Sequence, residues 1–429
     1  MERDLYHKLL AWKSRKNRKP LIIRGARQVG KTWLMRTFGE ACYPRVAYIN
    51  MESNPLIKDL FTTDFNIDRI LLGLQIEVGF PIDSETLIIF DEIQEAPEAL
   101  TALKYFQENA PQYDIICAGS LLGVALNRHT SFPVGKVEFM DLQPLSFTEF
   151  LSALGETSLV KLLEQRDWTM LNNFAPKYIE WLRHYYFVGG MPDAVSTFIA
   201  TKNHTETRAV QKRILTAYEQ DFSKHAPHEI VPRIRMLWNA IPAQLAKENK
   251  KFIYGVIRQG ARAKDYELAM SWLKDCGLIH KIHNVTKPAI PLKAYEDFNA
   301  FKLFMVDVGL LAAMTDLDTR SLLEGNTIFQ EFKGALTEQY VVQQLIGRED
   351  IQTYYWSPDN ARAEIDLLIQ YAGDVIPIEV KAEENLQAKS LRVYHDKYHP
   401  QKTIRTSMSN YREESWMTNV PLFAISEVL

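Results

Sequence analysis

The segment Leu21–Thr32, LIIRGARQVGKT, constrains the fold of this chain more than any other. It fits the phosphate-loop pattern G-x-x-x-x-G-K-[ST] at every fixed position, between an apolar run and a helix-compatible run. Gly25 and Gly30 allow successive backbone N–H groups to turn toward phosphate oxygens, and the N-terminus of the following helix favours negative charge. The segment therefore predicts a buried strand, a phosphate-binding loop and a helix, in that order.

The loop also predicts how a nucleotide is held. Lys31 would reach the β- and γ-phosphates, and the Thr32 hydroxyl would bind Mg²⁺. The predicted nucleotide-binding residues of this segment are Gly25, Ala26, Arg27, Gln28, Val29, Gly30, Lys31, Thr32 and Trp33.

A second acidic motif follows a predicted buried strand. Four apolar residues precede Asp91 and Glu92, which is the Walker B pattern. Asp91, at the carboxyl end of a parallel strand, would hold Mg²⁺ together with Thr32. Glu92 would orient and polarise the attacking water. The pattern is common by itself, but its place after a phosphate loop makes it a specific indication.

The next buried strand ends at Ser120. This serine either senses the γ-phosphate or is a turn residue beside Gly119, and the sequence leaves both interpretations open. The repeated strand–helix order predicts a parallel sheet with helices on both faces.

Length and composition restrict the remaining alternatives. A chain of 429 residues exceeds one typical core, so two to four domains are expected. The net charge of -3 confines any nucleic-acid binding to local basic patches. The basic run 13–19 is one such patch, although a solvated helix end is the favoured interpretation.

Three widely spaced cysteines indicate neither a zinc site nor disulfides, and the sequence contains neither a signal peptide nor an 18-residue apolar run. We expect a cytoplasmic protein without a membrane partner.

These motifs, together with Leu142–Phe150 (LQPLSFTEF), resemble a group of uncharacterised prokaryotic AAA-type ATPases. The resemblance implies ATP and Mg²⁺ as cofactors, an ATPase core over residues 1–145 and a helical lid over residues 146–225. It also implies a homo-oligomer as one form of the protein. Where the family usually has Gly-Arg, this chain has Gly135-Lys136, so the arginine finger is not assigned; Arg128 is a nearby candidate.

Residues 226–310 resemble a winged-helix domain. Apolar residues at helical spacing predict a helix over 234–247 and a second over 265–276, ending at Gly277. Strands are predicted over 278–282 and 301–306. Basic residues at 258, 262 and 264 would suit phosphate contacts. A linker domain that binds no DNA is the equal alternative.

Residues 311–429 carry an ordered set of acidic residues and one lysine. Glu338 lies on a predicted helix, Asp366 on a strand, and Glu379 and Lys381 on the adjacent strand of a hairpin that turns at 370–374. Asp366 and Glu379, on one face, would bind Mg²⁺ or Mn²⁺ with the carbonyl of residue 380, and Glu338 would support the metal. Lys381 would position water or stabilise the phosphate.

This set resembles the PD-(D/E)xK nuclease superfamily, and members of the resembled ATPase group carry such a C-terminal domain. The resemblance implies DNA as the partner. Surface charge on an edge hairpin and a nuclease fold that binds DNA without cutting remain the alternatives.

The predicted architecture is thus a parallel-sheet ATPase core with a helical lid, a winged helix and a restriction-endonuclease-like α/β domain. The predicted function is an ATPase coupled to DNA binding or metal-dependent DNA cleavage. The alternative is a nucleotide-gated switch whose nuclease-like domain binds DNA or a protein without cleavage.

Overall fold

The computed structural model describes residues 1–120, 133–247, 250–318, 330–358, 363–382 and 388–428. Its contacts divide the chain into two compact units. The first unit comprises Met1–Gln143 with Asp275–Leu278, and the second comprises Pro144–Lys274 with Ile279–Leu429. None of the helices in the described residues is both long enough and apolar enough to cross a membrane.

The first unit is a three-layer α/β fold around a five-stranded sheet. All of its strand pairs are parallel, and the strand order is β2-β3-β4-β1-β5. The elements are α1 (Asp4–Ser14), β1 (Leu21–Arg24), α2 (Lys31–Cys42), β2 (Arg45–Asn50), α3 (Pro55–Thr63), α4 (Ile67–Val78), β3 (Thr86–Asp91), α5 (Pro97–Asn109), β4 (Asp114–Ala118) and β5 (Glu138–Asp141).

The apolar strands of this sheet form its core. The β3 residues Leu87–Phe90 are completely buried, as expected for parallel strands with helices on both faces. The strand order places β4 between the strand that enters the phosphate loop and the strand that ends at Asp91. This arrangement confirms the predicted parallel-sheet ATPase core.

The second unit begins with a helical region. Its helices are α6 (Phe147–Leu154), α7 (Thr157–Gln165), α8 (Trp168–Asn173), α9 (Ala175–Val188), α10 (Pro192–Thr201), α11 (His204–His225), α12 (Val231–Leu245), α13 (Tyr254–Ile257) and α14 (Ala263–Asp275). Ser146 caps α6 in a capping box with Glu149. Gly277, beyond the end of α14, has φ +72°, which suits the predicted helix end.

An eight-stranded sheet follows in the same unit. Its order is β12-β13-β11-β10-β9-β8-β6-β7, and β6 and β7 form an antiparallel hairpin that joins the sheet through β8. The elements are β6 (Ile279–Val285), β7 (Glu296–Met305), α15 (Val308–Met314), α16 (Gln330–Ile346), β8 (Gln352–Trp356), β9 (Ile365–Tyr371), β10 (Asp374–Val380), α17 (Lys389–Tyr398), β11 (Ile404–Ser407), β12 (Arg412–Glu413) and β13 (Thr418–Pro421).

Strands β9 and β10 are antiparallel and turn at Ala372-Gly373, which confirms the predicted hairpin. Strand β11 is parallel to β10 and follows the helix α17. From α16 to β11 the chain therefore runs helix, three strands, helix, strand. This order brings the carboxyl end of β10 beside the beginning of β9.

Candidate functional site

The phosphate loop of the first unit is shaped by residues with positive φ. Gly25 has φ +146°, and a Cβ placed there would lie 2.2 Å from the carbonyl oxygen of Leu142, so only glycine fits. Gln28 has φ +68°, and Gly30, with φ +95°, precedes the first residue of α2. The loop thus ends at a helix N-terminus, where backbone N–H groups favour an anion.

The Lys31 side chain lies within this loop. Its ammonium donates hydrogen bonds to the carbonyl oxygens of Gly25, at 2.9 Å, and Ala26, at 2.7 Å. Only 6% of the residue is exposed. Burial lowers the pKa of Lys31 to about 8, against the opposing effect of Glu92 and Asp91. An ammonium that lies within the loop can donate to phosphate oxygens in place of these carbonyl oxygens.

Asp91 and Thr32 meet at the end of β3. The Thr32 hydroxyl donates to Asp91 Oδ2 at 2.7 Å, and the Tyr48 hydroxyl donates to the same oxygen at 2.8 Å. Burial and the bond to Asp91 raise the pKa of Tyr48 to about 12. A hydroxyl and a carboxylate in contact at a phosphate loop fit the hard-oxygen ligands that Mg²⁺ prefers. Sequence reasoning missed Tyr48, because only the pairing of β2 with β3 brings it beside Asp91.

Glu92 follows Asp91 in a left-handed conformation, with φ +51°. Its carboxylate accepts a hydrogen bond from Gln94 Nε2 at 2.6 Å, and Ser120 Oγ lies 3.5 Å from its other oxygen. Ser120 reaches this position because β4 neighbours β3. Ser120 therefore lies beside Glu92, and its role as a γ-phosphate sensor stays a prediction. Gln94 was missed, although it stands two residues after Glu92 in the sequence.

The remaining loop residues differ in exposure. Ala26 and Val29 are buried, Arg27 is half-buried, and the Gln28 and Trp33 side chains are exposed. The carbonyl oxygen of Val29 accepts a hydrogen bond at 3.0 Å from Arg3, a buried arginine just before α1 that was also missed. Arg128, the candidate arginine finger, lies outside the described residues.

The basic run 13–19 makes contacts within its own unit. Arg15 pairs with Glu138 at 2.5 Å, Arg18 binds Asp114 at 2.7 Å, and Lys19 donates to the carbonyl of Gly135 at 2.8 Å. These pairings give the run a structural role and favour the solvated helix end over a nucleic-acid contact.

The second unit contains an acidic cluster, which we define as Glu338, Glu364, Asp366 and Glu379. Asp366 and Glu379 lie on neighbouring strands, and Asp366 Oδ2 accepts a hydrogen bond at 2.8 Å from the backbone N–H of Val380. Lys381 lies 2.6 Å from Glu379 Oε1, whereas Glu379 Oε2 is buried without a hydrogen-bond partner. The geometry therefore brings together the predicted strand residues Asp366, Glu379 and Lys381.

Glu338, which is predicted to support the metal, pairs with two lysines. The structure pairs Glu338 Oε2 with Lys250, and it places Lys302 Nζ 2.8 Å from Glu338 Oε1. Lys302, on β7, is completely buried and also lies 2.7 Å from Glu364 Oε1. Burial would raise the pKa of Glu338, but the two lysines lower it below its usual range. A lone lysine within the apolar run 300–306 is the one sequence signal that points to Lys302.

The carboxylates of Asp366 and Glu379 are oxygen donors of the type that a hard divalent cation prefers. Burial raises the pKa of Asp366 to about 7, with further contributions from Glu338 and Glu379. A hard divalent cation would neutralise the neighbouring carboxylates and would bind the unpartnered oxygen of Glu379. Among the described residues, however, no three His, Cys, Asp or Glu side chains converge on one metal position.

The basic residues after α13 are exposed. They are Arg258, Arg262 and Lys264, and Arg262 pairs with Asp265 at 3.3 Å. Three large apolar side chains on the same stretch are also exposed: Ile253, Val256 and Leu268. A surface with both basic and apolar exposed side chains is compatible with a contact to DNA and with a contact to protein.

Three family models match parts of the chain. Residues 17–151 match an AAA domain, residues 179–321 match a domain of unknown function (DUF8612), and residues 333–425 match another (DUF4143). With the parallel sheet and phosphate loop described above, the first match shows that residues 17–151 form an AAA domain, which supports an ATPase activity. No curated protein is significantly similar to the chain.

Solved structures that align with the chain include the Walker-type ATPase PABY2304 of Pyrococcus abyssi, with 17% identity and a TM-score of 0.47 over 73% of this chain and 95% of that chain. They also include the Aeropyrum pernix ORC1 protein in complex with DNA, with 10% identity and a TM-score of 0.28 over 73% and 90% of the two chains. C. elegans PCH-2 aligns with 13% identity and a TM-score of 0.23 over 38% and 48%. TM-scores this low transfer no function.

Proposed function

We propose that the first unit hydrolyses ATP with Lys31, Thr32, Asp91 and Glu92 as its working residues. Lys31 and the loop N–H groups bind the phosphates, while Thr32 and Asp91 hold Mg²⁺, which neutralises charge on the phosphate oxygens. Glu92 orients the attacking water and takes its proton as the bond to the γ-phosphate breaks. Ser120 and Gln94 hold the Glu92 carboxylate. The observation that carries this assignment is the 2.7 Å contact between Thr32 and Asp91 at the end of the loop.

The test is the variant Glu92→Gln. We expect ATP binding to persist while turnover falls by about 10²-fold or more, because the base is lost and the phosphate contacts remain. Glu95→Gln, which changes a nearby carboxylate outside the site, is the matched control and should keep its turnover. Full turnover in Glu92→Gln would refute the role given to this residue.

For the second unit we propose action on phosphodiesters of DNA, with a divalent cation held by Asp366, Glu379 and the carbonyl of Val380. The observation that carries this proposal is the antiparallel β9–β10 pair, which sets both carboxylates and Lys381 at one end of the sheet. The cation would supply Lewis-acid stabilisation of the phosphate. Lys381 would orient the water or the phosphate. The helix–three strands–helix–strand order supports a nuclease-like fold.

A nucleotide-gated switch is the second candidate. Both oxygens of Glu338 accept charged donors from Lys250 and Lys302, which favours a site that binds without cutting. In this alternative, ATP binding alters contacts with DNA or a protein and the C-terminal residues serve as a binding platform.

A DNA cleavage assay distinguishes the nuclease from the switch. Linear, circular and single-stranded DNA are incubated with the protein and Mg²⁺ or Mn²⁺, with and without ATP. The nuclease proposal expects cleavage that Asp366→Asn abolishes. Asp374→Asn, at the start of β10, is the control and should cut normally. ATP dependence of the cleavage would show that the two activities are coupled. Hydrolysis of ATP without cleavage under every condition would select the switch.

A further inference from the structure

Lys302 occupies an unusual place for a lysine. It lies on β7, the outer strand of the β6–β7 hairpin, and is completely buried. Its ammonium contacts two carboxylates, Glu338 at 2.8 Å and Glu364 at 2.7 Å, and lies 4.9 Å from the centre of the Tyr355 ring. A buried ammonium is costly unless it is paired, so this position is specified by the carboxylates around it.

A second lysine completes the arrangement. Lys250 contacts Glu338 Oε2, so each oxygen of that carboxylate already accepts a charged donor. Glu338 is therefore joined to two fixed cations that belong to the chain itself. A divalent cation bound to Glu338 would lie within a few ångströms of both, where charges of one sign repel strongly in a buried site.

The charge balance of the site points the same way. Four carboxylates stand against three ammonium groups, and the residues are Glu338, Glu364, Asp366, Glu379, Lys250, Lys302 and Lys381. Arg405, the neighbour of Glu379 in the β10–β11 register, lies 3.7 Å from Glu414, and Arg412 contacts the same carboxylate. With these three residues included, five carboxylates face five cationic groups. Two divalent cations would therefore leave twice the positive excess that one would leave.

We propose that Lys302 acts as a built-in cation of the acidic cluster and limits it to a single exchangeable divalent ion, held at Asp366 and Glu379. Two-metal phosphoryl-transfer sites hold their ions about 3.5–4 Å apart. Here Lys302 takes the place of the second ion between Glu338 and Glu364. Lys302 is a positioning residue that fixes these two carboxylates. The proposal rests on the metal site proposed above.

The β6–β7 hairpin is thereby part of the site. Its residue Lys302 reaches Glu338 on α16 and Glu364 just before β9. Replacement of Lys302 would leave Glu338 with Lys250 as its only cation and would remove the ammonium that lies between Glu338 and Glu364. A second divalent ion would relieve the repulsion between these two carboxylates.

The number of Mn²⁺ ions bound per chain tests the proposal. Electron paramagnetic resonance measures the free ion, and the bound ion is the difference from the total. The full chain is titrated without nucleotide in an Asp91→Asn background, which removes the Mg²⁺ ligand of the first unit. We expect one Mn²⁺ per chain, lost in Glu379→Gln. Two ions per chain would overturn the proposal. No bound ion at all would instead overturn the metal site, so the two failures are distinguishable.

Variants of the lysines sharpen the test. Lys302→Met is expected to bind a second Mn²⁺, whereas Lys302→Arg keeps the charge and should bind one. A folded Lys302→Met chain with one Mn²⁺ of unchanged affinity would refute the role of Lys302. If Lys302→Met does not fold, the variant Lys250→Met is used instead. The Lys250 side chain is partly exposed, so its replacement should disturb folding less. The Mn²⁺ affinity of this variant should rise several-fold, with Lys251→Met unchanged as the control; equal affinities would refute the proposal.

Discussion

Tyr48 is the residue that most changes the description of the nucleotide site. Asp91 Oδ2 accepts hydrogen bonds from two hydroxyls, those of Thr32 and Tyr48. Thr32 is expected to turn its oxygen toward the metal, after which Tyr48 is the side chain that continues to hold the carboxylate. Arg36 lies 5.1 Å from the centre of the Tyr48 ring, within the range of a cation–π contact.

The variant Tyr48→Phe should therefore weaken Mg²⁺ binding more than it lowers the stability of the fold. A hydrogen bond to a charged group contributes about 1.5–3 kcal/mol, so the Mg²⁺ concentration for half-maximal ATPase activity should rise by roughly 10- to 100-fold. Tyr43→Phe is the matched control, since it removes a phenol bond to Asp114 in the same sheet at 2.8 Å. A Mg²⁺ requirement that shifts equally in both variants would contradict the role of Tyr48.

At the scale of elements, the contact between α9 and the start of α11 includes a pair of histidines. The rings of His184 and His204 stack with centroids 5.4 Å apart, and His184 also lies beside Phe198. Burial, followed by the charges of His204 and Lys202, lowers the pKa of His184 to about 4. Burial likewise lowers the pKa of His204. Both rings are neutral in the folded state near pH 7.

Stability should fall as the pH drops from about 6.5, the usual pKa of histidine, toward 4. The unfolded chain takes up protons in this range and the folded chain resists them, so acid favours unfolding. After allowance for partial exposure, His184 contributes on the order of 1–2 kcal/mol to this loss. His184→Phe should flatten the dependence of the denaturation midpoint on pH, and His228→Phe, an exposed histidine, should not. An unchanged slope in His184→Phe would count against this account.

At the scale of the whole molecule, α16 ties the parts of the second unit together through buried amides. Gln343 accepts from the backbone N–H of Val308 at 2.8 Å and donates to Tyr185 at 3.0 Å and to Asp307 at 3.1 Å. Gln344 accepts from the backbone N–H of Phe147 at 2.8 Å. Residues of the predicted lid, of the segment after β7 and of the C-terminal domain thus share one polar network.

Gln343→Met should destabilise the second unit as a whole. It leaves buried donors and acceptors unpaired, which costs about 2–4 kcal/mol. In hydrogen exchange, α9 and α16 should lose protection together, while the first unit keeps its protection. Gln165→Met, at the exposed end of α7, is the control. Loss of protection confined to α16 would show that these regions unfold independently.

Local patterns in the sequence determined the phosphate loop, the Asp91-Glu92 motif and the hairpin that pairs Asp366 with Glu379. They succeed because strand period, glycine geometry and a tight turn act over a few residues. The tertiary structure alone decided what surrounds them. Strand order brought Tyr48 to Asp91 and Ser120 to Glu92, and the β6–β7 hairpin carried Lys302 to Glu338. Such contacts join residues far apart in the chain, and no local periodicity records which distant strands will become neighbours.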